Sequence, residues 1–250
     1  MNWPSDQPLL LPHRGILQIT GHDSAAFLQG LISNDMGLVA EQHMIYAALA
    51  TPQGKFLHDL FVSPCPQGFW LEAERARLDE LSKLLKRYAL RADVVLEQLP
   101  HVQVYFSVHA LMAAEKMFAD PRHEKMGYRF YASQPLPHIT DISLYDRHRL
   151  PLAAPDGSRD VRVGDDFLLE ANIDVLNGIS FTKGCYMGQE MTARMHYRAK
   201  LKYRLQCITL GDYTLSPDHT LFNTAGKKVG DARLILGDIA LAMLAVDAEK

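Results

Sequence analysis

The sequence predicts an α+β fold, and two patterns carry that prediction. Short runs with period-two alternation are interspersed with runs whose apolar residues recur every three or four positions. Pro and Gly punctuate the first kind where hairpins need turns, which favours mixed strands and helices over a purely parallel sheet.

The elements follow in order. Gly15 to Thr20 alternates as a short strand, and Asp23 stands where it caps a helix whose apolar face holds Phe27, Leu28 and Leu31. Tyr46 to Val62 reads as two strands around Thr51-Pro52-Gln53-Gly54, with Trp70 to Glu72 as the next strand. From Ala76 to Tyr88 the apolar positions Leu78, Leu81, Leu84, Leu85 and Tyr88 lay one stripe along a helix, and Val94 to Leu96 reads as a buried strand.

His101 to Val108 as strand, Ala110 to Phe118 as short helix and Gly127 to Ala132 as strand make a second, βαβ-like unit. Pro135, Pro137, Pro151 and Pro155 suggest a connecting segment, and Asp165 to Leu176 a helix that Gly178 ends. A short helix runs from Gln189 to His196. Leu201, Tyr203, Leu205 and Cys207 then alternate with polar residues as a half-buried strand, which opens a small all-β unit broken by Gly226, Gly230 and Gly237.

Composition bounds the function. At 250 residues and 48% hydrophobic, the chain buries a sizeable core, so disorder is excluded as the default. A formal net charge of −3 gives no global attraction to nucleic acid or anionic membrane. Three cysteines, Cys65, Cys185 and Cys207, without a C-x-x-C spacing argue against a disulfide framework and a self-contained zinc site, and suit a reducing compartment. They are also too few for the four ligands of a Cys₄ iron–sulfur cluster, so any cluster here needs a partner or other ligand types. Met1 to Gly15 lacks the basic and apolar regions of a signal peptide, and no apolar run approaches the ~20 residues that span a bilayer, so a cytoplasmic protein without membrane association is expected. The oligomeric state is not encoded in any pattern here.

The segment Lys183-Gly184-Cys185-Tyr186-Met187-Gly188-Gln189-Glu190 concentrates the chemistry. Glycines on both sides of Cys185 let backbone amides approach a ligand and permit a tight turn into the following helix. A helix N-terminus with Lys183, Arg194 and Arg198 nearby favours a thiolate, the form that ligates metal or attacks. A lone cysteine also serves as a small buried hydrophobe, and composition leaves both readings open. Lys183, Arg194, Arg198, Lys200, Lys202 and Arg204 face the single acid Glu190, either to attract an anionic ligand (a polyglutamyl tail, a phosphate, an RNA backbone) or as a solvated face. Glu170 and Asp174 are spaced one helical turn apart. His58 and His196 stand alone, without the pairing that a metal site needs.

The eight residues from Lys183 to Glu190 resemble the signature of the YgfZ family of folate-binding iron–sulfur assembly and repair proteins, which is related to the glycine-cleavage T-protein. Phe27-Leu28-Gln29-Gly30, Asn34-Asp35, Pro52 to Val62, Leu169 to Asp174 and Gly230 to Leu244 extend the similarity over most of the chain.

The resemblance implies a T-protein-like three-lobed fold around a central folate cavity: an α+β lobe over residues 1–100, a second over 101–198 with the signature, and a short β-barrel lobe over 199–250. It implies tetrahydrofolate or a derivative as cofactor, bound by Glu170, Lys183, Tyr186 and Arg194, with Glu170 pairing to the pterin N–H groups. It also implies Cys185 as the functional thiol and a shared ligand of a transient cluster. The implied partners are iron–sulfur carriers or clients, one of which thiolates transfer RNA, leaving any contact with that RNA indirect or weak.

One departure bears on catalysis. The T-protein catalytic aspartate opens an Asp-Asp-Leu run, and here His58 precedes Asp59 and Leu60. An imidazole lacks the permanent negative charge that a cationic folate intermediate needs, which speaks against ordinary aminomethyl transfer and leaves Asp59 as the acid–base candidate of a folate-dependent one-carbon transferase. A transfer-RNA-binding modification factor is the remaining alternative.

Overall fold

The computed structural model describes residue 3 and residues 7–111 and 116–247. Its first half contains β1 (Leu9–Leu10), β2 (Arg14–Thr20), α1 (Ser24–Gln29), β3 (Ile45–Ala50), β4 (Phe56–Cys65), β5 (Gly68–Glu74), α2 (Leu78–Ala89) and β6 (Val95–Gln98). There follow β7 (Gln103–Ser107), β8 (Lys116–Ala119), β9 (Tyr128–Ala132), α3 (Ile142–Arg149) and α4 (Gln189–Tyr197). The chain closes with β10 (Tyr203–Thr209), β11 (Thr214–Leu215), β12 (Thr220–Phe222), β13 (Lys228–Leu236) and β14 (Ile239–Ala245). Strands dominate, and the α+β expectation holds at the level of mixed helices and antiparallel sheets.

Three sheets organise the molecule, in the orders β3-β4-β5-β2-β6, β1-β7-β9-β8 and β10-β14-β13-β12-β11. In the first, the β3–β4 hairpin turns where the sequence places it: Gly54 takes a left-handed φ of 76°, and its N–H donates to Thr51 O at 2.8 Å. One face of this sheet packs Leu17, Ile19, Leu60, Val62 and Leu71 under α1 and α2, where Leu78, Leu81 and Leu85 supply the buried stripe. The other face joins the second sheet and the 139–181 segment in the largest apolar cluster.

Charged side chains are built into that second interface. Arg14 (β2) donates to Asp59 (β4) and to Glu72 (β5), both at 2.9 Å. Glu72 also accepts from Arg129 and, at 2.9 Å, from the Tyr131 hydroxyl, both on β9. Arg129 reaches Asp120 at 3.0 Å, Asp120 accepts from Arg122 at 2.8 Å, and Tyr145 (α3) accepts from both arginines. These groups are at most 4% exposed, and the Arg129 guanidinium lies 3.5 Å from the Phe61 ring centre. Burial opposes charge on Asp120, but Arg122 and Arg129 outweigh it and hold the carboxyl down at about 2.

Several expectations are corrected. Part of the helix expected from Ala110 to Phe118 lies outside the described residues, and its end is strand β8, antiparallel to β9, so the described residues show no helix between β7 and β8. The proline-rich connection contains α3, capped by Asp141, which accepts from Ser143 N at 3.0 Å. Asp165 to Leu176 is a series of turns rather than a helix: Asn172 and Asn177 adopt left-handed φ values of 62° and 58°, a conformation Asn tolerates and a helix does not. The strand at Val95 is an edge, with Val95 60% exposed rather than buried. Asp23 leaves α1 without a side-chain cap and instead accepts from Asp93 N at 2.8 Å, tying the helix start to the turn before β6.

Candidate functional site

The Cys185 segment is anchored on both sides and exposed between the anchors. On the N-terminal side, the Lys183 ammonium donates to three backbone carbonyls, Gln29 at 2.7 Å and Ile32 and Asn34 at 2.8 Å each. Burial pulls this ammonium down to about 8, and the three oxygens around it favour its charged form.

The receiving loop is itself stiffened. Gln29 donates to Asp35 and accepts from Met36 N, while the Asn34 amide bridges the Tyr46 and Asn177 carbonyls at 2.7 Å. Ser33 bonds Gly178 O and accepts from Ala48 N, and Ser180 N donates to Ser33 O at 3.0 Å. The Gln29 and Asn34-Asp35 motifs thus form the cradle of a lysine about 150 residues away.

On the C-terminal side, Gly188 takes a φ of 84° where α4 begins, and it presses on the β3–β4 turn. A Cβ there would lie 2.6 Å from Thr51 O and 3.0 Å from Ala50 Cβ, so only glycine meets both demands. Thr192 donates to Gly188 O at 3.0 Å, and Met191 packs on Gly54, where a Cβ would lie 3.0 Å from Met191 Cβ. Gly184, by contrast, has open space around its missing Cβ.

Between these anchors Gly184 and Cys185 are exposed, and Cys185 is a free thiol. Tyr186 is buried next to it, its ring centre 5.1 Å from the Lys183 nitrogen, and burial raises its phenol to about 12. Cys65 and Cys207 are half-buried, and burial raises both thiols.

The other expected site residues lie apart from the thiol. Glu170 lines a cleft of about 540 Å³ with Lys55, Phe167, Tyr203 and Arg233. Its carboxyl is half-buried, which raises its pKa, and it accepts from Phe167 N at 3.2 Å. Arg194 lines a different cleft of about 700 Å³ along α4, with Gln189, Glu190, Tyr197 and Arg198. Lys183 and Tyr186, expected beside a cofactor, are committed to the loop's interior. Of the cationic strip, Arg204 is also committed, to Asp174 at 2.7 Å.

Asp59 and His58 occupy opposite faces of β4. Asp59, 1% exposed, belongs to the buried charge network through Arg14. His58, also 1% exposed, points toward the Arg77–Glu80 pair, with Glu80 at 3.6 Å. Burial and the Arg77 charge lower its imidazole to about 4. Neither is placed as an accessible acid–base group.

Comparison with known proteins connects this geometry to relatives. No protein-family model matches the chain. The human mitochondrial iron–sulfur cluster assembly factor IBA57 is 30% identical over 270 aligned residues, which cover 94% of this chain and 76% of the human one. The IBA57 homologue of Mycosarcoma maydis is 31% identical, covering 78% of this chain and 55% of its own.

The chain belongs to the IBA57 family.

Among solved structures, the glycine cleavage system aminomethyltransferase T of Bartonella henselae superposes with a TM-score of 0.69, covering 97% of this chain and 79% of that one. At 11% identity this likeness establishes the fold alone. Membership in the IBA57 family corrects one expectation: the relatives named are mitochondrial proteins, which overturns the cytoplasmic assignment and points to the mitochondrion. No helix among the described residues is long and apolar enough to cross a membrane.

Sequence reasoning missed the receiving loop for Lys183 and the interior charge network. The first carried a signal, since Gln29 and Asn34-Asp35 stood out as motif residues without an assigned role.

Proposed function

We propose that the chain assists the assembly or repair of iron–sulfur proteins, with Cys185 as the thiol that meets the cluster and iron–sulfur carriers or clients as partners. The observation that carries this reading is one exposed thiol held between a buried lysine anchor and a left-handed glycine, in a chain of the IBA57 family. Among the described residues no group of three or more His, Cys, Asp or Glu is placed to hold a metal. Cys185 therefore supplies one ligand to a cluster that a partner completes. Any effect on transfer-RNA thiolation runs through a client enzyme.

Expression of Cys185→Ala in a strain lacking the native protein tests the reading through the activity of cluster-dependent enzymes. Activities as low as in the deletion strain are expected; full rescue would overturn the role of the thiol.

Folate binding is the second element of the proposal, within three lobes over residues 1–100, 101–198 and 199–250, the last of small-barrel type. The residues fit the pterin at Glu170: a half-buried carboxylate in a cleft with Phe167 and Tyr203 offers acceptor oxygens for the pterin N–H donors. Bound there, tetrahydrofolate would supply a one-carbon or reducing group. Titration of tetrahydrofolate against wild type and Glu170→Ala should show at least tenfold weaker binding by the variant; equal affinity would remove Glu170 from the site. The burial of Asp59 and His58 speaks against an aminomethyl transferase.

A further inference from the structure

Four cations of the basic strip stand apart once the committed ones are set aside. Arg194, Arg198, Lys200 and Lys202 are all exposed, and among the described residues none forms an ion pair or a side-chain hydrogen bond. They cluster at the end of α4 and in the link to β10, in the same stretch of chain as Tyr197, a tyrosine left 66% exposed. The His196 ring stacks on Phe181 at 3.8 Å, and Tyr197 meets both edge-on, at 4.6 and 6.0 Å, so the aromatic group is a fixed platform. The cleft of about 700 Å³ along α4 has Tyr197, Arg194 and Arg198 on its walls and Gln189 at its start. Gln189 reaches back to Gly184 O at 3.5 Å, which joins this cleft to the Cys185 loop.

We infer that the α4 face is the docking surface for the acidic face of an iron–sulfur carrier protein, with Tyr197 as the anchor and Arg194 and Arg198 as the charges that orient the carrier's cluster toward Cys185.

The inference rests on the proposed function and adds the surface and the chemistry of the partner. Exposed Tyr and Arg are the residue types that dominate protein interfaces, and unpaired arginines present forks to carboxylates without first breaking internal pairs. An acidic protein suits the surface better than nucleic acid does. The Phe181 and His196 faces that would stack on bases are stacked on each other. The whole chain, at −3, offers no wider positive field to an RNA.

The test titrates purified, cluster-loaded iron–sulfur carrier proteins of the same organism, and separately total transfer RNA, against four forms of the full chain. These are wild type, Arg194→Glu/Arg198→Glu, Tyr197→Ala, and Lys83→Glu/Arg87→Glu on the exposed face of α2 as a charge-matched control. The substituted positions lie on the surfaces of α2 and α4 or, for Arg198, directly after α4, and circular dichroism verifies each fold.

At least one carrier should bind wild type with an affinity that falls as salt rises. The α4 double reversal and Tyr197→Ala should each weaken it tenfold or more, while the α2 control stays within twofold. Equal affinity of the α4 reversal, absence of carrier binding to wild type, or transfer-RNA binding as the only interaction the reversal abolishes would each overturn the inference. The outcomes separate the two claims. Unchanged docking by the reversal variant, with Cys185→Ala still failing to rescue, defeats only this surface; full rescue by Cys185→Ala defeats the function on which it rests.

Discussion

Replacing Lys183 with Met keeps most of the side-chain volume and removes the ammonium, so the effect reads the three hydrogen bonds rather than a cavity. The Ile32 and Asn34 carbonyls are bonded to Lys183 in buried surroundings and would be left without this donor, while the Gln29 bond is only partly buried. A buried acceptor deprived of its partner costs roughly 1–3 kcal/mol, so two of them place the loss at about 4 kcal/mol. Urea unfolding of wild type and variant measures it directly, the midpoint falling with the slope unchanged.

The same substitution frees the N-terminal side of the Cys185 loop. Alkylation of Cys185 by iodoacetamide, followed by mass spectrometry under conditions where the fold is intact, should change severalfold in rate. A stability loss below 1 kcal/mol together with an unchanged alkylation rate would refute the idea that Lys183 anchors this loop.

Three further outcomes follow from the geometry. Gly188→Ala should destabilise the protein by about 2–3 kcal/mol in chemical denaturation, since it combines a left-handed backbone with a Cβ placed 2.6 Å from Thr51 O. Glu72→Gln should cost about 3–5 kcal/mol, because it leaves the Arg14 and Arg129 guanidiniums buried without their shared carboxylate, and thermal unfolding reports it. His58 titrates at about 4 in the folded chain against an ordinary value of 6.5, so between these values the unfolded state binds more protons and stability falls as pH falls. That shift amounts to about 3 kcal/mol, present above pH 6.5 and lost toward pH 4; His58→Leu should flatten the stability profile over this range in urea titrations at stepped pH.

The elements legible in the sequence were those with a strong period or a turn residue: the β3–β4 hairpin at Gly54, the stripe of α2, the strand through Leu205 and the short α4. The turns from Asp165 to Leu176 were not legible, because the apolar spacing there matches a helix while left-handed Asn172 donates to Ala153 O and Leu205 O at 3.1 and 2.9 Å. A local pattern does not reveal such long-range partners.

The interior network was hidden for a related reason. Arg14, Glu72 and Arg129 sit within apolar strands as isolated charges, and only the pairing of three segments shows that each has a partner. At the site, the tight turn and the helix after it were readable from Gly184 and Gly188, whereas the exposure of the Cys185 thiol became visible only in the fold. The role of Lys183 was not readable either, since a lysine beside a cysteine suggests a free cation until its three carbonyl partners, all from one distant loop, come into view.

The claim that Cys185 meets an iron–sulfur cluster is tested most directly by anaerobic mixing of the full chain with a cluster-loaded carrier, with visible absorption and Mössbauer spectra recorded for wild type and Cys185→Ser. Wild type is expected to give a new cluster spectrum with altered thiolate ligation, absent from the variant. Identical spectra for the two proteins would contradict the assignment of this thiol to the cluster.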